Sequence, residues 1–142
     1  MIRRVEDVRV PLIIPAYEPD DRMLILLEKL RDNYNDAIVI VNDGSGEEYS
    51  KYYFAAENYG FTVLKHYQNM GKGRALKNAF NHCLNEYPKM AGCITADSDG
   101  QHTLKDILRC REMLLRNSKK LILGCRDFND KNVPGKVFLE IS

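Results

Sequence analysis

Apolar residues fall along this chain in two alternating patterns: short unbroken runs, and stretches where they recur at intervals of three and four. The first pattern suits strands covered on both faces, and the second suits one face of a helix. Val8–Ile14 reads as a strand that Pro15-Ala-Tyr-Glu-Pro-Asp20 stops with turn residues. Met23, Leu26, Leu27 and Leu30 then mark a helix, with Asp20 or Asp21 as its cap. Ala37–Val41 is the second strand; Tyr49, Tyr52, Tyr53 and Ala56 line the next helix, where the tyrosines serve packing, and Gly60 stops it. Thr62–Tyr67 is the third strand. Leu76, Ala79, Phe80, Cys83 and Leu84 share one face of a helix that Pro88 closes. A short apolar run ending in Cys93-Ile-Thr-Ala96 leads to a capping box, Thr103 with Asp106, and a helix faced by Leu104, Ile107, Leu108, Leu114 and Leu115. Lys120–Gly124 is the last clear strand.

Strands and helices alternating at these lengths predict an α/β fold, a doubly wound and mostly parallel sheet with right-handed crossovers. Ligands of such sheets sit beyond the carboxyl ends of the strands, where the strand order reverses. The polar clusters of this chain fall at those ends: Pro15-Ala-Tyr-Glu18, Asn42-Asp43-Gly-Ser45, Gly71-Lys72-Gly73 and Asp97-Ser-Asp99-Gly-Gln101.

Length narrows the picture further. The 142 residues suffice for one domain, residues 1–142, with a real core. A formal charge of +1, with acids and bases interspersed, gives no electrostatic footprint for nucleic acid. Cys83, Cys93, Cys110 and Cys125 lack C-x-x-C spacing and sit within apolar patterns, as buried free thiols do. They point to a reducing compartment. No window approaches the roughly 20 apolar residues of a spanning helix, so a cytoplasmic location is expected.

The candidate chemistry begins with Asp97-Ser98-Asp99. Residues two apart in an extended chain point the same way, so both carboxylates can face a crevice while Ser98 turns back into the fold. Two hard oxygen donors of this kind, completed by substrate phosphates, hold Mg2+ or Mn2+. The plain alternative is a solvated turn, since Asp and Gly are common turn residues.

The order P-A-Y-E, N-D-G-S, N-x-G-K-G and D-S-D-G-Q-H resembles the donor-binding half of the family 2 glycosyltransferases, and within them the polyprenyl-phosphate sugar transferases. The resemblance runs from about Val10 to Arg126. It implies a Rossmann-like GT-A fold, a nucleotide-diphosphate sugar (UDP- or GDP-linked) as donor, a lipid-phosphate or glycan acceptor, a divalent cation and inversion at the anomeric carbon. It also implies a donor site at Pro15, Ala16, Tyr17, Glu18, Asp43, Gly71, Lys72, Asp97, Ser98, Asp99 and Arg126, with metal at Asp97, Asp99 and Gln101. In that site Tyr17 lies against base or ribose, and Glu18 and Asp43 accept from ribose hydroxyls or base N–H groups. Lys72 offers a charge and helix-start N–H groups to phosphate or shapes the base pocket. Arg126, in Gly124-Cys-Arg, grips a phosphate of donor or acceptor. His102 is a polar residue leading into a helix rather than a ligand, and Asn42 stands where the family often has an acid.

Other readings divide unevenly. Tyr17 packing beneath its loop and Lys72 as an ordinary surface lysine are the bland versions of those residues. A P-loop would need glycine at His66 and a hydroxyl at Gly73, and fails at both. Asp-x-Asp-Gly after a strand also fits a haloacid-dehalogenase phosphatase, although there the motif follows the first strand. A donor-binding or regulatory module without a catalytic half is the non-enzymatic alternative. It follows from the tail: after Arg126 no general base is recognisable, and Val133–Ser142 departs from the family pattern, as expected of a C-terminally truncated chain. An exposed sheet edge or apolar patch left by a missing half is a route to a homodimer. The parent protein is expected at the cytoplasmic membrane face.

Overall fold

The computed structural model describes residues 9–100, 104–116, 121–124 and 139–140. The elements alternate as the pattern predicts: β1 (Leu12–Ala16), α1 (Asp21–Asn33), β2 (Ile38–Asn42), a 3₁₀ turn (Glu47–Tyr49) running into α2 (Ser50–Asn58), β3 (Thr62–Lys65), α3 (Lys72–Glu86), β4 (Gly92–Thr95), α4 (Leu104–Arg116), β5 (Leu121–Gly124) and β6 (Leu139–Glu140). The sheet order is β3-β2-β1-β4-β5-β6, parallel from β3 to β5, with β6 antiparallel to β5. Strand order therefore reverses between β1 and β4.

Two apolar layers sandwich the sheet. Leu12, Ile14, Ile38, Ile40 and Ile94 pack against α1, α2 and α4 through Met23, Leu27, Leu30, Tyr53, Ala56, Ile107 and Cys110. The alternate residues Ile13, Val39, Val41 and Cys93 face Ala75, Ala79 and Cys83 of α3. All of β2 is buried, as an unbroken apolar run in a parallel sheet requires. Cys83, Cys93 and Cys110 are buried free thiols as expected, while Cys125 lies outside the described residues.

Two boundaries differ from the sequence reading. Pro15 does not stop the first strand, which starts at Leu12 and continues through Pro15 and Ala16. The odd residues of β1 bond toward β4: Pro11 O accepts from Ile94 N and Ile13 O from Ala96 N. The missing Pro15 donor thus falls on the β4 side just where that pairing ends, and costs β1 nothing against β2, where Pro15 stays in register with Val41. The second difference lies at the sheet edge: β3 ends at Lys65, and Tyr67 is 99% exposed. In α3 the buried face is Ala75, Ala79 and Cys83, with Leu84 exposed. Asp20 caps α1 by accepting from Arg22 N at 2.9 Å. Thr103 lies outside the described residues.

Candidate functional site

The seam between β1 and β4 opens into a crevice of about 510 Å³. Pro15, Ala16, Tyr17, Asp43, Gly71, Lys72, Asp97, Ser98 and Asp99 line it, as does Asn69, the first residue of the N-x-G-K-G motif, to which the sequence argument gave no role of its own. Gln101 and Arg126 lie outside the described residues. The four polar loops that share nothing in sequence position are brought together by the parallel topology alone, since every β-to-α connection leaves from the same sheet edge.

The first wall is the loop after β1. Glu18 adopts φ +47°, a left-handed conformation that costs a non-glycine residue roughly 1–3 kcal/mol. It is held by a hydrogen bond from its own N–H to Ser45 Oγ at 2.8 Å. Ser45 Oγ also meets the Tyr53 hydroxyl at 2.8 Å, and that hydroxyl reaches Ala16 O at 3.3 Å. Tyr53 is thus more than packing: it ties α2 to both loops. Burial pushes its phenol up to about 12. Tyr17 is half exposed over the crevice, so the reading that buries it beneath its loop does not hold. The neighbouring Glu18 carboxylate raises the Tyr17 phenol above its ordinary value.

The floor is the turn after β2. Asn42 is buried, and its side-chain carbonyl accepts from Ser45 N, three residues on, at 3.0 Å, which closes the turn and explains a polar residue at the strand end. Asp43 is buried too: Oδ1 accepts from Met70 N at 2.9 Å and lies 2.8 Å from His66 Nδ1, while Oδ2 accepts from Asn69 Nδ2 at 3.3 Å. Its carboxylate therefore binds the 66–70 segment to this turn. The sequence argument gave neither His66 nor Asn69 a role at this site. At Gly44 (φ +78°) an added Cβ would lie 2.2 Å from Asn69 N and from Gln68 C, so the two segments touch backbone to backbone.

The far wall carries charge. Lys72 opens α3 behind Gly71, whose φ of +90° only glycine adopts easily and whose position leaves the helix without a side-chain cap. Lys72 Nζ meets Asp97 Oδ1 at 2.8 Å. Beyond β4 the chain is not extended, contrary to the alternation argument: Ser98 and Asp99 form a turn, and Ser98 lines the crevice beside both aspartates. Asp99 lies near α1, where its charge adds to the hydrogen bond and charge of Asp20 in raising the Arg22 guanidinium. Among the described residues no cluster of three His, Cys, Asp or Glu is placed to hold a metal. Two carboxylates on one open crevice fit a hard cation shared with a diphosphate, rather than an ion caged wholly by protein.

These features define an α/β domain with its ligand crevice at the strand-order switch, walled by an aromatic ring, a lysine at a helix start and a pair of aspartates. Residues 12–139 match the profile described as Glycosyl transferase family 2, and the chain belongs to that family. This agrees with the resemblance drawn from the four motifs and sets aside the phosphatase alternative. Among curated proteins the chain is similar to a UDP-N-acetylglucosamine–dolichyl-phosphate N-acetylglucosaminyltransferase of Methanococcus voltae, 29% identical over 88% of this chain and 55% of that one. It is 30% identical to a dolichyl-phosphate beta-glucosyltransferase of Saccharomyces cerevisiae, over 72% of this chain and 33% of the other. An uncharacterized protein of Methanocaldococcus jannaschii is 30% identical over 94% of this chain and 54% of its own length. The chain spans about half the length of the first two curated relatives it matches, those from Methanocaldococcus jannaschii and Methanococcus voltae. No solved structure matches.

Proposed function

We propose that this chain is the donor-binding core of a glycosyltransferase that moves a sugar from a nucleoside diphosphate to an acceptor, most simply a polyprenyl phosphate, with inversion. The observation that carries the reading is the single crevice in which Tyr17, Lys72, Asp97 and Asp99 converge. The names of two relatives support the acceptor class, since both act on dolichyl phosphate. Tyr17 offers a face for base or ribose, and Glu18 and Asp43 supply acceptors for nucleoside N–H and O–H groups. Lys72 and the uncapped start of α3 face the diphosphate. Asp97 and Asp99, with Gln101 as a further donor, would hold Mg2+ or Mn2+, which would supply positive charge to offset that of the departing diphosphate.

In the reaction the bond between anomeric carbon and diphosphate oxygen breaks, its electron pair leaving with the diphosphate, as an acceptor oxygen bonds the opposite face. A phosphate acceptor is already anionic, so no residue needs to take a proton from it. What the chain contributes is alignment and charge stabilisation. Arg126 is assigned to a phosphate of donor or acceptor. No helix among the described residues is long and apolar enough to cross a membrane; a lipid-phosphate acceptor favours a membrane surface as the place of work, and the cytoplasmic face is the side we assign to it. Self-association through a sheet edge is tested by light scattering across concentration.

The test is calorimetric titration with UDP, GDP and their sugar conjugates, with and without manganese, beside Asp97→Ala and Asp99→Ala. Saturable, metal-dependent binding that both substitutions abolish is expected. Unchanged metal-dependent binding in Asp99→Ala refutes the assignment.

A further inference from the structure

We infer that His66 is a positioning residue of this site: held by Asn78, it orients the Asp43 carboxylate so that one defined oxygen is left to meet the ligand. The inference rests on the donor-site reading and adds a residue, on the edge of the sheet, that does not line the crevice. Register places it. Asn42 pairs with Lys65, so the next residues, Asp43 and His66, leave their strands side by side, and His66 N donates to Asn42 O at 2.8 Å. Both side chains are buried, at 5% and 7% exposure.

The hydrogen-bond directions follow from chemistry. An ionised carboxylate only accepts, so the 2.8 Å contact to Asp43 Oδ1 requires the proton on His66 Nδ1. In the neutral ring Nε2 is then an acceptor, and Asn78 Nδ2 donates to it at 2.8 Å. The Asp43 contact sets the tautomer, and Asn78 holds the ring in the position from which Nδ1–H meets the carboxylate. A carboxylate oxygen has about two acceptor sites. Oδ1 uses both, on His66 and on Met70 N, whereas Oδ2 has one 3.3 Å bond from Asn69 and one site remaining. Asp43 lines the crevice, so that remaining site is the one available to a nucleoside N–H or O–H group. Without the Nδ1 donor the carboxylate can turn, and the acceptor no longer keeps a fixed direction.

A pair of amide substitutions separates positioning from mere support. In His66→Asn the amide nitrogen falls near the Nδ1 position and keeps the bond to Asp43; in His66→Gln the amide reaches the Nε2 position and keeps only the contact to Asn78. Titration of wild type and both variants with UDP and GDP, beside their thermal midpoints, gives the comparison. Affinity for whichever nucleotide wild type binds should fall about tenfold in His66→Gln and stay within about threefold in His66→Asn, the loss expected for one charged hydrogen bond. Equal affinities in the two variants, whether both kept or both lost, overturn the positioning role and leave the donor site standing. Failure of folded wild type to bind either nucleotide removes the donor-site reading itself, and this inference with it. Asn78→Ser, at an exposed helix position, keeps the test open should His66→Gln not fold. Two-bond proton–nitrogen spectra of the imidazole should show Nδ1–H in wild type, and nucleotide binding should weaken in Asn78→Ser as the ring loses its hold. An Nε2–H wild-type ring overturns the inference.

Discussion

Replacing Gly44 with alanine strikes the point where the turn after β2 meets the segment after β3. Two costs are separable there. The first is conformational: φ at Gly44 is +78°, and a side chain in that region costs roughly 1–2 kcal/mol. The second is steric. The new Cβ would stand 2.2 Å from Asn69 N and Gln68 C, where ordinary contact between carbon atoms is about 3.5–4.0 Å. Both obstacles are backbone, so relief means separating the two segments by more than an ångström. That movement breaks the bonds from Met70 N to Asp43 Oδ1 and from Asn69 Nδ2 to Asp43 O, at 2.9 and 3.2 Å. At about 1 kcal/mol net for each, the total for Gly44→Ala is about 3–4 kcal/mol. Gly71→Ala is the control. Its φ is +90°, yet nothing stands within 4 Å of the added Cβ, so it should lose only about 1–2 kcal/mol. Urea unfolding of both variants, with equal m-values to license the comparison, gives the difference directly. If Gly44→Ala costs no more than Gly71→Ala, the backbone-to-backbone contact does not hold these segments together, and the reasoning is wrong.

Other expectations follow from the same geometry. Lys72→Ala breaks a half-exposed ion pair to Asp97, so unfolding should shift by less than about 1 kcal/mol, while affinity for a nucleoside diphosphate falls about tenfold; calorimetry and urea unfolding on one sample separate these effects. Tyr53→Phe removes the hydroxyl that meets Ser45 and Ala16, at a cost of about 1–2 kcal/mol, and should weaken nucleotide binding by releasing the Glu18 turn; wild-type affinity in the variant argues against that coupling. The Asp20 carboxyl is held below its ordinary value of 3.8 by the hydrogen bonds with Arg22. Its stabilising contribution is therefore complete above 3.8 and is lost as pH falls through the lower folded value. Asp20→Asn, which still caps α1, should flatten that part of the acid dependence of the thermal midpoint.

The elements with strong periodicity are legible in the sequence. Met23, Leu26, Leu27 and Leu30 form the buried face of α1, and the run through Ile38–Val41 is a buried strand. The positions of the crevice residues were readable for a topological reason: in a parallel sheet every residue just past a strand lies at one edge. What stayed hidden depends on register and on direction. His66 looks like any polar residue closing a strand, until the pairing of Asn42 with Lys65 sets it against Asp43. Tyr53 satisfies a helical packing pattern equally well with or without a partner for its hydroxyl. Pro15 looked like a stop because its missing donor matters only toward one neighbour, and sequence does not say which side that is. The turn at Ser98 and Asp99 shows the converse error, an extended geometry assumed where the strand had already ended.

That proline has a wider meaning for the crevice. A parallel sheet grows rung by rung, and the rung after Ala96 N to Ile13 O would need a hydrogen on residue 15. Proline has none to give. The ring thus removes one rung at the mouth between β1 and β4, whatever the sizes of the side chains around it, just before the chain turns away at Ser98 and Asp99. Repacking of Tyr17 or Asp97 can reshape the opening, but no rearrangement of those groups restores that hydrogen bond while the ring is there.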